Sequence, residues 1–414
     1  MESLTTITIV AIIKVVILIG ALMTAAAYLV LLERWIAAWV QDRLGPNRVG
    51  VPLTNIRLFG LGQPLADGLK FIFKEENVPD QVDKFLFTVA PISILTAALA
   101  IFAVIPVGSS LPPDLGIPGI HGAIQLVVAP QLDVGLIYVF ALSSIAVYGV
   151  ILGGWASNSK YSFLGGLRSS AQLISYELPL GLGILGVVLF AGSLRLEPII
   201  DQQAASGVWN VFVQPLGFVV FLVASFAESA RLPFDLPEAE QELVGGYHTE
   251  YSGMRLLMYL IAEFLHMVTA AFLITILFLG GWHFWGLTGS GGDVTWLTAI
   301  LRVIVLTVKV LAVIVFFMMV RWSWPRFRFD QLMALAWKVM LPLGLVNFVA
   351  VAFVSEFAWN AQERRLSSPW IVVLVMWALA IVSWWLAGSF SPLATDNRPR
   401  TDLPDAASFG ELGN

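Results

Sequence analysis

ITIVAIIKVVILIGALMTAAAYLVLL, residues 7–32, is an apolar run whose one charge is Lys14. About 20 such residues cross the hydrocarbon core of a bilayer, and a helix is the form in which one segment satisfies its own backbone hydrogen bonds there. Ala25, Ala26 and Ala27 near its end invite comparison with a signal peptide. The run is too long for that, and Glu2 stands where a basic region would be expected, so it reads as a retained helix. Eight further runs follow, at about 85–107, 134–155, 172–193, 208–227, 255–281, 300–320, 332–355 and 369–390.

The whole composition agrees with these nine spans. Of 414 residues 58% are hydrophobic and 12% charged, with mean hydropathy +0.83, whereas a soluble domain is roughly 25% charged. The expected fold is an all-α polytopic membrane protein, one transmembrane domain over residues 1–390. Residues 391–414 mix Pro, Asp, Asn, Gly and Ser without periodicity and read as a disordered tail. The chain has no cysteine. That excludes disulfides, thiolate-held zinc, cysteine-held iron–sulfur clusters and cysteine nucleophiles, leaving carboxylates, Lys/Arg, His or a partner's cofactor for any chemistry.

Basic residues set the sidedness. Arg34, Arg43, Arg48, Arg57, Lys70, Lys74 and Lys84 follow the first span, and in alternation the same side collects Lys160, Arg168, Arg231, Arg255, Arg321, Arg326, Arg328, Arg398 and Arg400. The opposite side holds only Arg195, Arg364 and Arg365. The positive-inside rule puts the N-terminus outside and the richly charged loops, with the C-terminus, in the cytoplasm.

Three of those loops are unusual. ERWIAAWVQDRLGPNRVG (33–50) carries Glu33 and Arg34 at the exit of the first span and a Gly45-Pro46-Asn47 turn; an anchor and turn account for it when it is taken alone. In GQPLADGLKFIFKEE (62–76), Leu65, Leu69, Ile72 and Phe73 recur at helical spacing opposite Gln63, Asp67, Lys70 and Lys74. So short and two-faced a helix lies along the membrane surface, either as an anchor or as one wall of a mouth open to the bilayer. AESARLPFDLPEAEQELVGGYHTEYSGMR (227–255) gathers Glu228, Asp235, Glu238, Glu240, Glu242 and Glu250 around Arg231. A solvated face is the ordinary meaning of such a run. The interleaved Leu232, Phe234, Leu236 and Leu243 and two prolines point instead to an acidic loop, about 228–254, that is packed, where carboxylates repel one another and respond to nearby charge.

Charges also lie inside spans: Glu177, Glu228, Glu263, Lys14, Arg302, Lys309 and Lys338. Each is costly at membrane depth unless paired. Snorkelling or ion pairing suits Lys14 and Arg302, near span ends; Glu177 and Glu263 have the composition of a proton relay. Two other signals fail. GLGILG (181–186) fits G-x-G-x-x-G but lies inside an apolar helix with no preceding strand, so close helix packing explains its glycines. His121, His248, His266 and His283 show no ligand spacing, and no metal site is expected; His248, in the acidic loop, is the one of interest.

The stretches ERWIAAWVQDRLGPNRVG, GQPLADGLK, AESARLPFDLPEAEQELVGGYHTEYSG and RWSWPRFRFDQLMALAWKVMLPL resemble, in order, those of the membrane-embedded H subunit of bacterial NADH-quinone oxidoreductase, respiratory complex I, equivalent to mitochondrial subunit 1. The resemblance covers about residues 7–355. It implies a subunit in the bacterial plasma membrane that walls most of the quinone chamber and joins the hydrophilic redox arm to the membrane arm. Quinone would be its substrate, with NADH, FMN and iron–sulfur clusters on partner subunits. By the same resemblance Glu33, Arg34, Arg43, Gln63, Asp67, Lys70, Phe71 and Arg321 line or support the quinone path. Glu177, Glu228, Arg231, Asp235, Glu238, Glu240, Glu242 and Glu263 would form the coupling route for protons. Two features depart from the family pattern: a longer link between Gly50 and Gln63, and the ninth span with its tail. The competing readings are the related anchor of a membrane-bound hydrogenase and a stand-alone proton-coupled transporter.

Overall fold

The computed structural model describes residues 4–50, 59–112, 124–130, 132–235, 244–285, 287–288, 294–360, 365–366 and 369–390. Glu238, Glu240, Glu242 and the expected tail at 391–414 lie outside the described residues. The architecture is a helical bundle: α1 (Leu4–Val40), α2 (Gln63–Phe73), α3 (Lys84–Ile101), α4 (Gly135–Ala156), α5 (Lys160–Ala191), α6 (Leu196–Ser206), α7 (Asn210–Val213), α8 (Pro215–Glu228), α9 (Gly253–Phe278), α10 (Trp296–Ser323), α11 (Phe329–Ala334, then a π-helical stretch Leu335–Met340, then Leu341–Ala358) and α12 (Pro369–Phe390). A two-residue antiparallel pair, Trp359–Asn360 with Arg365–Leu366, joins the last two.

Among the described residues eight helices are long and apolar enough to cross a membrane. The fifth expected span, 208–227, is not one continuous helix but α7 followed by α8. Pro215 lacks an N–H and restricts Gln214 before it, which breaks the helix. At 1.5 Å per residue α8 alone is roughly 21 Å long, and it is with α7 that the segment runs from the Trp209 end of the bundle to the charged end. Protein rather than lipid covers the break. The Gln214 amide donates to the Gly186 carbonyl (3.1 Å), and the Gly217 N–H donates to Asn347 Oδ1 (3.2 Å), as irregular backbone at membrane depth requires.

Other bounds shift for local reasons. α1 runs past 32 to Val40, because Glu33 and Arg34 project from a helix whose apolar period continues through Ile36 and Ala38, both buried. α3 stops at Ile101, before Pro106, rather than at 107; its start is capped by Asp83, whose carboxylate accepts from the N–H groups of Phe85 and Leu86 (3.1 and 3.2 Å). α5 begins at Lys160, not 172, since the small and polar face of Ser162, Gly165, Gly166, Ser169 and Gln172 is buried rather than solvated. It ends at Gly192, whose φ of +63° closes the helix through its N–H to Val188 O.

The core lies where α3, α4, α5, α8 and α9 meet. Gly183 and Gly186 of the rejected glycine motif pack against α8 and Asn347, as expected of helix contacts, while Gly181 faces open space. At one end of the bundle Trp209 stacks on Trp285. The ends of α1, α4, α8 and α10, with α2 and the acidic loop, gather at the other end.

Candidate functional site

At that charged end a cavity of about 780 Å³ opens between α1, α2 and α9, within the range of small-molecule sites. Its outer walls are apolar, with Met23, Ala26, Val30, Leu257, Leu260 and Ile261 among them. α2 forms one lip. Pro64 suits its first turn, none of its residues is buried, and Leu65 and Phe73 are exposed on its apolar face, so it rests on the bundle as an interfacial helix would. On its inner face Asp67 Oδ2 meets Arg34 Nη1 at 2.7 Å, and the Gln63 amide donates to Asp67 Oδ1 at 3.3 Å.

The inner end is charged. Glu33 accepts from Arg231 Nη1 through both oxygens (3.2 and 3.1 Å) and pairs with Arg321. One carboxylate thus holds two guanidinium groups from segments 198 and 288 residues away. Arg231 also stands 4.4 Å from the Phe264 ring centroid, a cation–π contact. Glu33, Arg34, Arg43, Asp67, Phe71 and Arg321 all line this cavity; Gln63 acts behind Asp67, and Lys70 sits 5.7 Å from the Phe71 ring without lining it. Arg231, grouped with the acids from sequence, is in the chamber wall, and so is Glu263.

Behind Glu263 lies a second cavity of about 50 Å³, lined by Glu228, Glu263, His266, Tyr247, Tyr259 and Ser169 among others. Glu263 therefore borders both spaces. The Tyr247 hydroxyl donates to Glu263 Oε1 at 3.0 Å. Glu177 borders neither, and takes the Ser144 hydroxyl instead. Asp235 is buried and paired with Arg326 at 3.1 Å, away from the inner cavity. The first turn of the acidic loop is held by Gln172, whose amide donates to the carbonyls of Ala227 (2.9 Å) and Phe234 (2.8 Å). Its last part rests on α5 at Gly165, where an added Cβ would stand 2.7 Å from the Gly246 backbone. Tyr251, in the same loop, stacks on Phe87 at 4.0 Å, and burial pushes its phenol up to about 12, so it stays a neutral hydroxyl.

Sequence reading missed Tyr247, Tyr259, His266, Ser144 and Arg326. Nothing in their spacing marks them; each gains its role from a neighbour on another element. Three of the basic residues in spans hold backbone carbonyls: Lys14 donates to Val127 O (3.1 Å) and Arg302 Nε to Thr288 O (3.2 Å). Lys309 donates to the carbonyls of Leu279, Gly281 and His283 (2.6, 3.0 and 2.7 Å), closing the C-terminal end of α9.

The fold and site define a polytopic helical membrane protein with an apolar lateral chamber ending in fixed charge, backed by buried carboxylates. Residues 13–352 match the profile of the NADH dehydrogenase family. An NADH-quinone oxidoreductase H subunit of Geobacter metallireducens is 47% identical over 341 residues, covering 82% of this chain and 95% of that protein. The corresponding H subunit of Syntrophotalea carbinolica is 48% identical over 343 residues, covering 82% and 94%, and subunit 8 of the Rhodothermus marinus enzyme 43% over 348 residues, covering 81% and 94%. The chain belongs to this family.

Proposed function

We propose that this chain is the membrane-embedded H subunit of a bacterial respiratory complex I, forming the chamber through which quinone reaches its reduction site and coupling that reduction to proton translocation. The observation that carries the reading is the 780 Å³ cavity itself: apolar at the mouth between α1, α2 and α9, charged at the inner end, and sharing with the smaller inner cavity a single described lining residue, Glu263. An isoprenoid tail suits the apolar walls and a polar headgroup the inner end. Arg231 and Arg321, held by Glu33, then face the headgroup with net positive charge. Charge arriving on the headgroup alters the electrostatic balance at Glu263, which passes it to Glu228 and Glu177.

NADH oxidation, FMN and the iron–sulfur clusters belong to partner subunits in this reading, as do the headgroup's direct proton donors and the antiporter-like pumps. The charged end faces the cytoplasm, with the N-terminus outside. In the assembled complex, Asp67→Asn or Arg321→Ala should lower NADH:quinone reductase activity and leave NADH:ferricyanide reduction intact. Retention of full quinone reductase activity in both variants, or solute uptake by the chain reconstituted alone, refutes the proposal.

A further inference from the structure

Ser143 and Ser144 are neighbours on α4, and each stands beside a different carboxylate. The Ser144 hydroxyl donates to Glu177 Oε1 on α5, and Ser143, one position earlier, lies near Glu228 at the end of α8 while its hydroxyl donates to the Phe140 carbonyl. Glu177 and Glu228 are themselves within electrostatic range of one another. The Phe140 carbonyl is within reach of both serines, at 3.1 Å from Ser143 Oγ and 2.9 Å from Ser144 Oγ. Bonding back to the preceding turn is what any serine in an apolar helix does. It does not account for the bond from Ser144 to Glu177, or for a second hydroxyl next to it beside the carboxylate of another helix.

A serine hydroxyl has one hydrogen and two lone pairs, so it serves one acceptor at a time and can receive a hydrogen in return. Beside an ionised carboxylate it donates to the carboxylate. Beside a protonated carboxyl it accepts the acid's hydrogen and turns its own toward Phe140 O. A buried carboxylate without such a partner would lack a donor when ionised and an acceptor when protonated, and either lack is costly at membrane depth.

We propose that Ser143 and Ser144 are positioning residues of the carboxylate route, hydroxyls that exchange partners between Phe140 O and the carboxyl groups of Glu228 and Glu177 so that both acids remain hydrogen-bonded in either protonation state. The inference rests on the proton-coupling role proposed above for those acids.

The test uses the purified intact complex reconstituted in liposomes, with rates normalised to the NADH:ferricyanide activity of each preparation. A hydrogen bond to a charged group is worth a factor of about ten in a proton equilibrium. S143A/S144A is accordingly expected to reduce quinone-coupled proton translocation about tenfold. S143T/S144T restores the hydroxyls and should recover it to within about twofold of the parent. Full translocation in S143A/S144A, where Glu177→Gln and Glu228→Gln abolish it, overturns the hydroxyl role and leaves the carboxylate route standing. Full translocation in both Gln variants overturns the route and this inference with it. Persistent loss in S143T/S144T assigns the effect to packing and overturns the inference as well.

Discussion

Glu33→Gln is the most searching perturbation of the chamber, because it keeps the side chain's shape and removes the one carboxylate bound to both Arg231 and Arg321. The side chains of Glu33 and Arg231 are 11% and 8% exposed, that of Arg321 22%. At an effective dielectric of about 20, unit charges about 4 Å apart attract by about 4 kcal/mol, and breaking a buried pair by removing one partner costs about 3–5 kcal/mol. Most of that falls on Arg231; Arg321, with more access to water, is discounted. The inner end of the chamber also becomes more positive by one charge. If about half the lost interaction is expressed at the headgroup, kcat/KM for a short-chain quinone falls at least about tenfold. Glu33→Asp, which keeps charge but shortens the reach, should fall between parent and Gln.

The assay is quinone reductase kinetics of the purified complex, with ferricyanide reduction as the control. A double-mutant cycle sharpens it: Arg231→Met removes the guanidinium that Glu33 binds, so Glu33→Gln/Arg231→Met should be milder than the sum of its parts, by at least about 1.5 kcal/mol. Effects that add within about 0.5 kcal/mol would falsify the claim that Glu33 acts by holding Arg231. An unchanged kcat/KM in Glu33→Gln removes it from the chamber altogether.

Glu263→Gln, at the wall common to both cavities, and Glu240→Gln should depress proton pumping at least as much as electron transfer; unchanged rate and stoichiometry in both variants take them off the route. Gly165→Ala should lower the yield of assembled complex, because its Cβ would lie 2.7 Å from backbone at Gly246 and relieving that overlap costs about 1–3 kcal/mol. Gly181→Ala, with nothing within 4 Å of the added Cβ, should leave complex yield and activity unchanged, which blue native electrophoresis with activity staining checks. Asn347→Ala removes the acceptor of the Gly217 N–H at the break before α8; a loss of about 1–3 kcal/mol should appear as a lower thermal-inactivation temperature with an unaltered quinone KM.

Much of the bundle is readable in the chain because lipid imposes a one-dimensional rule: an apolar run of sufficient length becomes a helix, and basic residues choose its side. The short two-faced helix expected at 62–76, observed at Gln63–Phe73, is legible for the same reason, as a period-3.6 pattern too short to cross. Where local chemistry competes with hydropathy the reading slips by a turn or more. The polar first third of α5 looks like loop until it is seen buried against α4 and the Gly246 segment, and the proline that divides 208–227 matters more than the apolarity around it.

By itself, the sequence determined that this is a lipid-solvated helical protein without thiol chemistry, with its charge concentrated on one side and a few acids left inside the spans. Only the tertiary structure decided what those charges do. Glu33 reads as an interfacial anchor until residues 231 and 321 are brought to it, and Glu263 as an isolated acid until it is seen between two cavities. The reason is physical: hydropathy acts on each segment separately, whereas an ion pair or a hydrogen bond at membrane depth is a property of two segments, and no periodicity along the chain records which two will meet.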